Sequence, residues 1–159
     1  MIETTTVYGQ PLSILLVEDN IAHAELVMRS FKEHRISNEI THVTDGEQAL
    51  DYLFQRGAYA DKQKSPRPHV VLLDLRLPRV DGLDVLRRIR AAEEEALRRV
   101  PVVILTTSEA EQDVAQAYER HANSYVVKPP SFEGFTGLMD DLGFYWLGWN
   151  RCPWAQEVY

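Results

Sequence analysis

The chain has 159 residues, 45% of them apolar, about what a single hydrophobic core organises, so one domain is expected. A formal net charge of −7, from 17 basic and 24 acidic residues, is a poor electrostatic footprint for nucleic acid, and no apolar run approaches the ~20 residues of a membrane span. Cys152 is the single cysteine, which excludes an internal disulfide and a cysteine-built metal site; with no basic-then-apolar signal at Met1, a cytoplasmic protein is predicted.

Residues 1–11 read as a loose leader. Ser13-Ile14-Leu15-Leu16-Val17 is an apolar run of strand length that stops at two acids, Glu18 and Asp19. Asn20 opens an amphipathic helix to about His34, with Ile21, Ala24, Val27, Met28 and Phe31 on one face. Glu39 to Val43 is a short strand, and Thr44-Asp45-Gly46 turns into a second helix carrying Ala49, Leu50, Leu53 and Phe54. Asp45 and Gln48 stand at capping-box spacing there, and Gly57 is expected to close the helix. Ala58 to Pro68 is polar and holds two prolines, so it reads as a surface loop.

Val70-Val71-Leu72-Leu73 is continuously aliphatic, the habit of a strand covered on both faces, and it ends at Asp74. Pro78 and Asp81-Gly82 already supply the following loop with turn residues, so Asp74 is not needed for that purpose. Leu83, Val85, Leu86 and Ile89 mark a third helix, and the Glu93 to Arg99 charge run reads as its solvated end and a connecting loop. Val102-Val103-Ile104-Leu105 ends in the hydroxyls Thr106, Thr107 and Ser108. A fourth helix, Glu109 to about His121, has a thin apolar face of Val114, Ala117 and Tyr118. Ser124 to Val127 is the last strand, ending at Lys128-Pro129-Pro130, and Ser131 can cap a fifth helix through Phe132, Phe135, Leu138, Met139 and Leu142. Five alternating strand-helix units predict an α/β, doubly wound parallel sheet with right-handed crossovers.

In such sheets ligands sit beyond the carboxyl ends of the strands. Those ends carry Glu18 and Asp19, Asp74, Thr106, and Lys128. Three carboxylates drawn together repel, and they stay ionised at neutral pH only with a cation or a lysine among them. With oxygen ligands alone, Mg²⁺ is the natural choice. An ammonium, a hydroxyl and backbone N–H groups can then neutralise a phosphoryl group while Asp74 attacks it in line, leaving an aspartyl phosphate.

From about Leu12 to Met139 the sequence resembles the response-regulator receiver domain, on Val17-Glu18-Asp19-Asn20, Leu73-Asp74-Leu75 with Leu77-Pro78 and Asp81-Gly82, Leu105-Thr106-Thr107, and Tyr125-Val126-Val127-Lys128-Pro129. The resemblance implies a flavodoxin-like sheet of strand order 2-1-3-4-5 with five helices, in a receiver domain spanning 12–143. It implies that Asp19, Asp74 and the backbone carbonyl of Arg76 hold Mg²⁺ directly and Glu18 through water. Asp74 would accept the phosphoryl group, Lys128 and Thr106 would engage it, and Thr106 and Tyr125 would form the switch pair. It also implies a cis Lys128–Pro129 bond. Glu18 stands where many relatives have Asp, and Thr107 where a smaller residue is usual. Arg76 is left three settings: a pair with Glu109, a contact to the phosphoryl group, or solvent.

Asp45-Gly46-Glu47-Gln48-Ala49, Gly57-Ala58-Tyr59-Ala60 before Arg67-Pro68, Thr106-Thr107-Ser108 and an aromatic tail look like the single-domain regulators that accompany bacterial and cyanobacterial phytochrome kinases. That likeness implies a sensor histidine kinase of phytochrome type as partner and signalling by protein contact; the acidic charge and the lack of an apolar span predict no nucleic acid or membrane partner. It also implies a homodimer through the fourth helix, fifth strand, fifth helix and the aromatic extension 144–159; no output domain is expected, since only some ten residues follow Trp149. Such a protein is a phosphoacceptor with self-catalysed phosphotransfer and autodephosphorylation rather than a conventional enzyme. The alternatives are a receiver-like binding module independent of phosphorylation, which should show a broken acid set, and a doubly wound phosphohydrolase, which wants an acid where Arg76 stands. The five histidines, His23, His34, His42, His69 and His121, lack metal-ligand spacing and read as ordinary.

Overall fold

The computed structural model describes residues 12–33 and 38–151; the leader, His34, Cys152 and Trp154 lie outside the described residues. Strands β1 (Leu12–Val17), β2 (Asn38–Val43), β3 (Val70–Leu73), β4 (Val102–Thr106) and β5 (Ser124–Val127) form one sheet in the order β2-β1-β3-β4-β5. Every pairing is parallel. The helices are α1 (Ile21–Lys32), α2 (Gly46–Leu53), α3 (Gly82–Arg90), α4 (Glu95–Arg98), α5 (Glu111–Glu119) and α6 (Phe132–Gly143).

Strand alternation decides which helix goes where. On one face Leu15, Val17, Val71, Leu73, Val102 and Ile104 pack with Leu50 and Leu53 of α2, Val85, Leu86 and Ile89 of α3, and Ala117 of α5. On the other, Ile14, Leu16, Leu72, Val103 and Leu105 meet Ala24, Val27 and Phe31 of α1 and Phe135 and Met139 of α6. The three aliphatic runs are buried along their whole length, as strands sandwiched between two helical layers must be. Helix starts follow the sequence signals. Asn20, Asp45 and Ser131 accept from the backbone N–H of His23, Gln48 and Gly134 at 3.1, 2.7 and 3.0 Å. Gln48 returns the contact to the Thr44 N–H at 3.3 Å.

The structure departs from the sequence reading in several details. The charge run 93–99 contains a sixth helix, the single turn α4, whose Leu97 is only 2% exposed; one apolar residue in four leaves no periodicity to read. The 58–68 segment is the surface loop the sequence predicts, and it is pinned: Ser65 is buried, the Tyr52 hydroxyl donates to Pro66 O at 3.0 Å, and Arg67 pairs with Glu94 and donates to the Leu53 carbonyl. Helix α2 stops at Leu53, and Gln55 takes a left-handed conformation (φ 52°) before Gly57 does. Beyond α6 the aromatic segment stays helical as a π-helical turn over Phe144–Trp149, in which Trp146 and Leu147 join the α1 face of the core.

Candidate functional site

In-register parallel pairing brings the strand ends to one edge. Val17 stands opposite Leu73, Leu73 opposite Ile104, and Thr106 opposite Val127, so the residues just beyond them converge. Backbone bonds fix two of the acids: the Glu18 N–H donates to Val43 O and the Asp74 N–H to Val17 O, each at 3.1 Å. Carboxylate oxygens of Glu18, Asp19 and Asp74 lie within 4.8 Å of one another, with Glu18 and Asp74 buried and Asp19 exposed. Asp74 Oδ1 accepts from the Arg76 N–H at 3.4 Å.

Lys128 is the counter-charge. Its buried Nζ donates to Glu18, to Asp74 Oδ2 at 3.1 Å and toward His23 Nδ1 at 3.2 Å. Its own N–H donates to Thr106 O at 2.7 Å, which ties β5 to β4 beside the acids. The described residues contain no cis peptide bond, so Lys128–Pro129 is trans, the form X–Pro bonds prefer by about 0.5–1 kcal/mol. Burial pushes the Glu18 carboxyl up to about 7, more than the hydrogen bond and charge of Lys128 pull it down, and the neighbouring Asp74 charge adds to the rise. One ammonium does not neutralise this cluster, and a donor set of three carboxylates fits a hard divalent cation.

Thr106 is fully buried, and its Oγ1 accepts from the Ser108 N–H at 3.4 Å. The half-buried Tyr125 donates its hydroxyl to Ser108 O at 2.9 Å. Burial raises the pKa of that phenol.

Two residues were not legible as part of the site. His23 sits one turn inside α1, stacks on Phe135 (centroids 5.2 Å apart, planes at 30°) and presents Nδ1 to Lys128. Burial, then the Lys128 charge, lowers its pKa, which suits a neutral ring accepting from an ammonium. Proximity to Lys128, 105 residues away, and to Glu18 Oε1 at 3.8 Å marks it out. Asp113 on α5, rather than Glu109, is the carboxylate Arg76 pairs with.

The sequence pattern of the response regulator receiver domain matches residues 14–138, and the chain belongs to that family. The probable methanogenesis regulatory protein FilR2 of Methanothrix harundinacea is 48% identical over 143 residues, 90% of this chain and 88% of FilR2. Response regulator Rcp1 of Synechocystis is 40% identical over 91% of this chain and 95% of Rcp1. The solved Mn²⁺-bound form of Rcp1 superposes with a TM-score of 0.84 at 39% identity, covering 90% of this chain and 99% of that one. The phosphorylated cyanobacterial phytochrome response regulator RcpA gives a TM-score of 0.84 at 35% identity, with 91% and 99% covered. The chain is thus a receiver-domain response regulator homologous to phytochrome response regulators.

Proposed function

We propose that Asp74 accepts a phosphoryl group from the phosphohistidine of a sensor kinase in a Mg²⁺-dependent reaction. The observation that carries this reading is Lys128 bridging Asp74 and Glu18 at the mouth formed by the three acids. Asp19, Asp74 and the Arg76 carbonyl would hold the cation, with Glu18 reaching it through water; bound there, it neutralises charge on the transferring oxygens. An Asp74 oxygen attacks phosphorus, the donor's P–N bond breaks, and its electron pair leaves on the histidine nitrogen. Lys128 turns from Glu18 to a phosphoryl oxygen, and the Thr106 hydroxyl donates to another. Thr106 and Tyr125 then carry the change to α5 and β5. Incubation with Mg²⁺ and acetyl phosphate, followed by intact mass, tests the reading: one phosphoryl adduct in the wild type and none in Asp74→Asn. A phosphohydrolase would keep no adduct, and a binding module would never form one.

Because Glu18 holds its proton to about 7, a cation must displace that proton. Below pH ~7, Mg²⁺ affinity should therefore rise by up to about tenfold per pH unit and level off above it, and Glu18→Gln should flatten the profile. Calorimetric titrations across that range check this, and an equally steep profile in the variant contradicts it.

The proposed input is a phytochrome-type histidine kinase in the cytoplasm, supported by the likeness to RcpA. Likeness to FilR2, from a methanogen, favours a kinase answering another stimulus, and phosphotransfer from each kinase class separates the two. The proposed assembly is a homodimer through α5, β5, α6 and the aromatic extension; these are the fourth and fifth long helices, since α4 is a single turn. Its support is the open edge strand β5, exposed Tyr118 on α5, and exposed Tyr145 and Trp149, the latter at 80%. Trp146 and Leu147 belong to the core, so deleting the tail would damage the fold as well as the pair. Trp149→Ser and Tyr145→Ser, read by light scattering, should turn a dimer into a monomer; a full chain that is monomeric at micromolar concentration contradicts the assembly.

A further inference from the structure

Arg76 links two parts of the molecule that the phosphoryl chemistry treats separately. Its backbone N–H donates to the acceptor carboxylate of Asp74 at 3.4 Å, while its guanidinium reaches across to Asp113 on α5. The same Asp113 oxygen accepts from Ser108 Oγ at 2.5 Å. Ser108 in turn touches both residues of the switch pair: its N–H donates to Thr106 Oγ1 at 3.4 Å, and its carbonyl accepts from the Tyr125 hydroxyl at 2.9 Å. One carboxylate therefore closes a circuit from the acceptor loop to Thr106 and Tyr125.

We infer that Asp113 is a positioning residue: it holds the Arg76 guanidinium away from the phosphoryl oxygens, and the phosphoryl group competes for that guanidinium when it arrives. The inference rests on Asp74 being the acceptor. The strength of the pair suits competition. The Asp113 side chain is 11% exposed but that of Arg76 is 60% exposed, and an ion pair with one partner so open to water is weak. A phosphoryl group two residues from Arg76 offers several charged oxygens in the geometry a guanidinium binds best. When Arg76 transfers, it covers those oxygens against water and leaves Asp113 with Ser108 alone, so the tie between the acceptor loop and the segment that carries Ser108 is released. Phosphate lifetime and switch position are then set by the same carboxylate, whose hydrogen bonds go to Arg76 and Ser108 and to none of the three acids.

Asp113→Asn isolates the charge, because the amide keeps an oxygen for Ser108 Oγ and the same shape. Wild type, Asp113→Asn, Arg76→Ala and the double variant are phosphorylated with acetyl phosphate and Mg²⁺, freed of donor, and followed by intact mass as the adduct decays; thermal melts confirm that each is folded. With Asp113 neutral, Arg76 stays on the phosphoryl group and the adduct should last about 5-fold longer, the weight of one weak ion pair. In the Arg76→Ala background the same Asp113→Asn change should do nothing, a non-additivity that a merely structural role for Asp113 does not produce. Equal effects in both backgrounds, or an unchanged lifetime in Asp113→Asn, overturn the positioning role while leaving Asp74 as acceptor. A wild-type chain that takes up no phosphoryl group overturns the acceptor reading and this inference with it.

Discussion

Lys128→Ala is expected to cost the cation-free chain about 3 kcal/mol of stability and to slow Asp74 phosphorylation by about 100-fold or more. Lys128 is the shared partner of buried Glu18 and buried Asp74, and its removal leaves both acids in a poorly solvated place with no ammonium. Breaking a buried pair by taking one partner costs roughly 3–5 kcal/mol, and the lower end applies because Glu18, already held at about 7, escapes by taking a proton. Millimolar Mg²⁺ should return most of the stability, since a divalent cation supplies the missing charge, but not the rate, since the contact to the phosphoryl oxygen is lost. Urea unfolding with and without Mg²⁺ checks the first part and adduct formation by mass the second. Stability that ignores Mg²⁺, or a normal rate, would contradict the role given to Lys128.

Gly82→Ala is expected to be as damaging without touching a charged group. A Cβ on Gly82 would lie 2.2 Å from the Asp74 carbonyl oxygen and 2.6 Å from Leu75 Cα, both backbone atoms that cannot swing aside. The Gly82 N–H donates to Leu75 O at 2.8 Å, so the start of α3 is clamped onto the residue that follows the acceptor. Relief requires moving either α3 or the Asp74 loop. A loss of about 3 kcal/mol or more is expected, at or beyond the usual range for overpacking, with weakened cation binding in whatever fraction stays folded. The Asp81-Gly82 pair thus has a second duty beyond turning the chain. Its Asp81 caps α3 by accepting from the Leu83 N–H at 3.3 Å, and its glycine lets the helix approach the site. Wild-type melting and Mg²⁺ affinity in the variant would contradict this.

The strand-end chemistry was legible because parallel strands in register deliver their next residues to one edge, so the polar residues that terminate the apolar runs are the ones that meet in the cluster. Glu18, Asp19, Asp74 and Lys128 obey that rule, and the caps at Asn20, Asp45 and Ser131 obey side-chain chemistry close in sequence. His23 and Asp113 were not legible, because their partners are distant along the chain. His23 meets Lys128 across 105 residues, and Asp113 meets Arg76 across 37. Helix α4 escaped for a different reason: a four-residue turn with one buried leucine has no period. The tail divides by packing. Five aromatics between Phe144 and Trp154 read as apolar surface seeking cover, but no spacing rule separates Trp146, which enters the core, from Trp149, which stays exposed.

The most direct measurement on the central claim is the position of the phosphoryl group. Wild-type chain treated with acetyl phosphate and Mg²⁺, reduced with borohydride so that an acyl phosphate becomes homoserine, and digested for peptide sequencing by mass should yield homoserine at position 74 and unchanged Asp19. Homoserine at any other position, or a borohydride-resistant phosphate on Thr106 or Ser108, would contradict the assignment of Asp74 as the residue that takes the phosphoryl group.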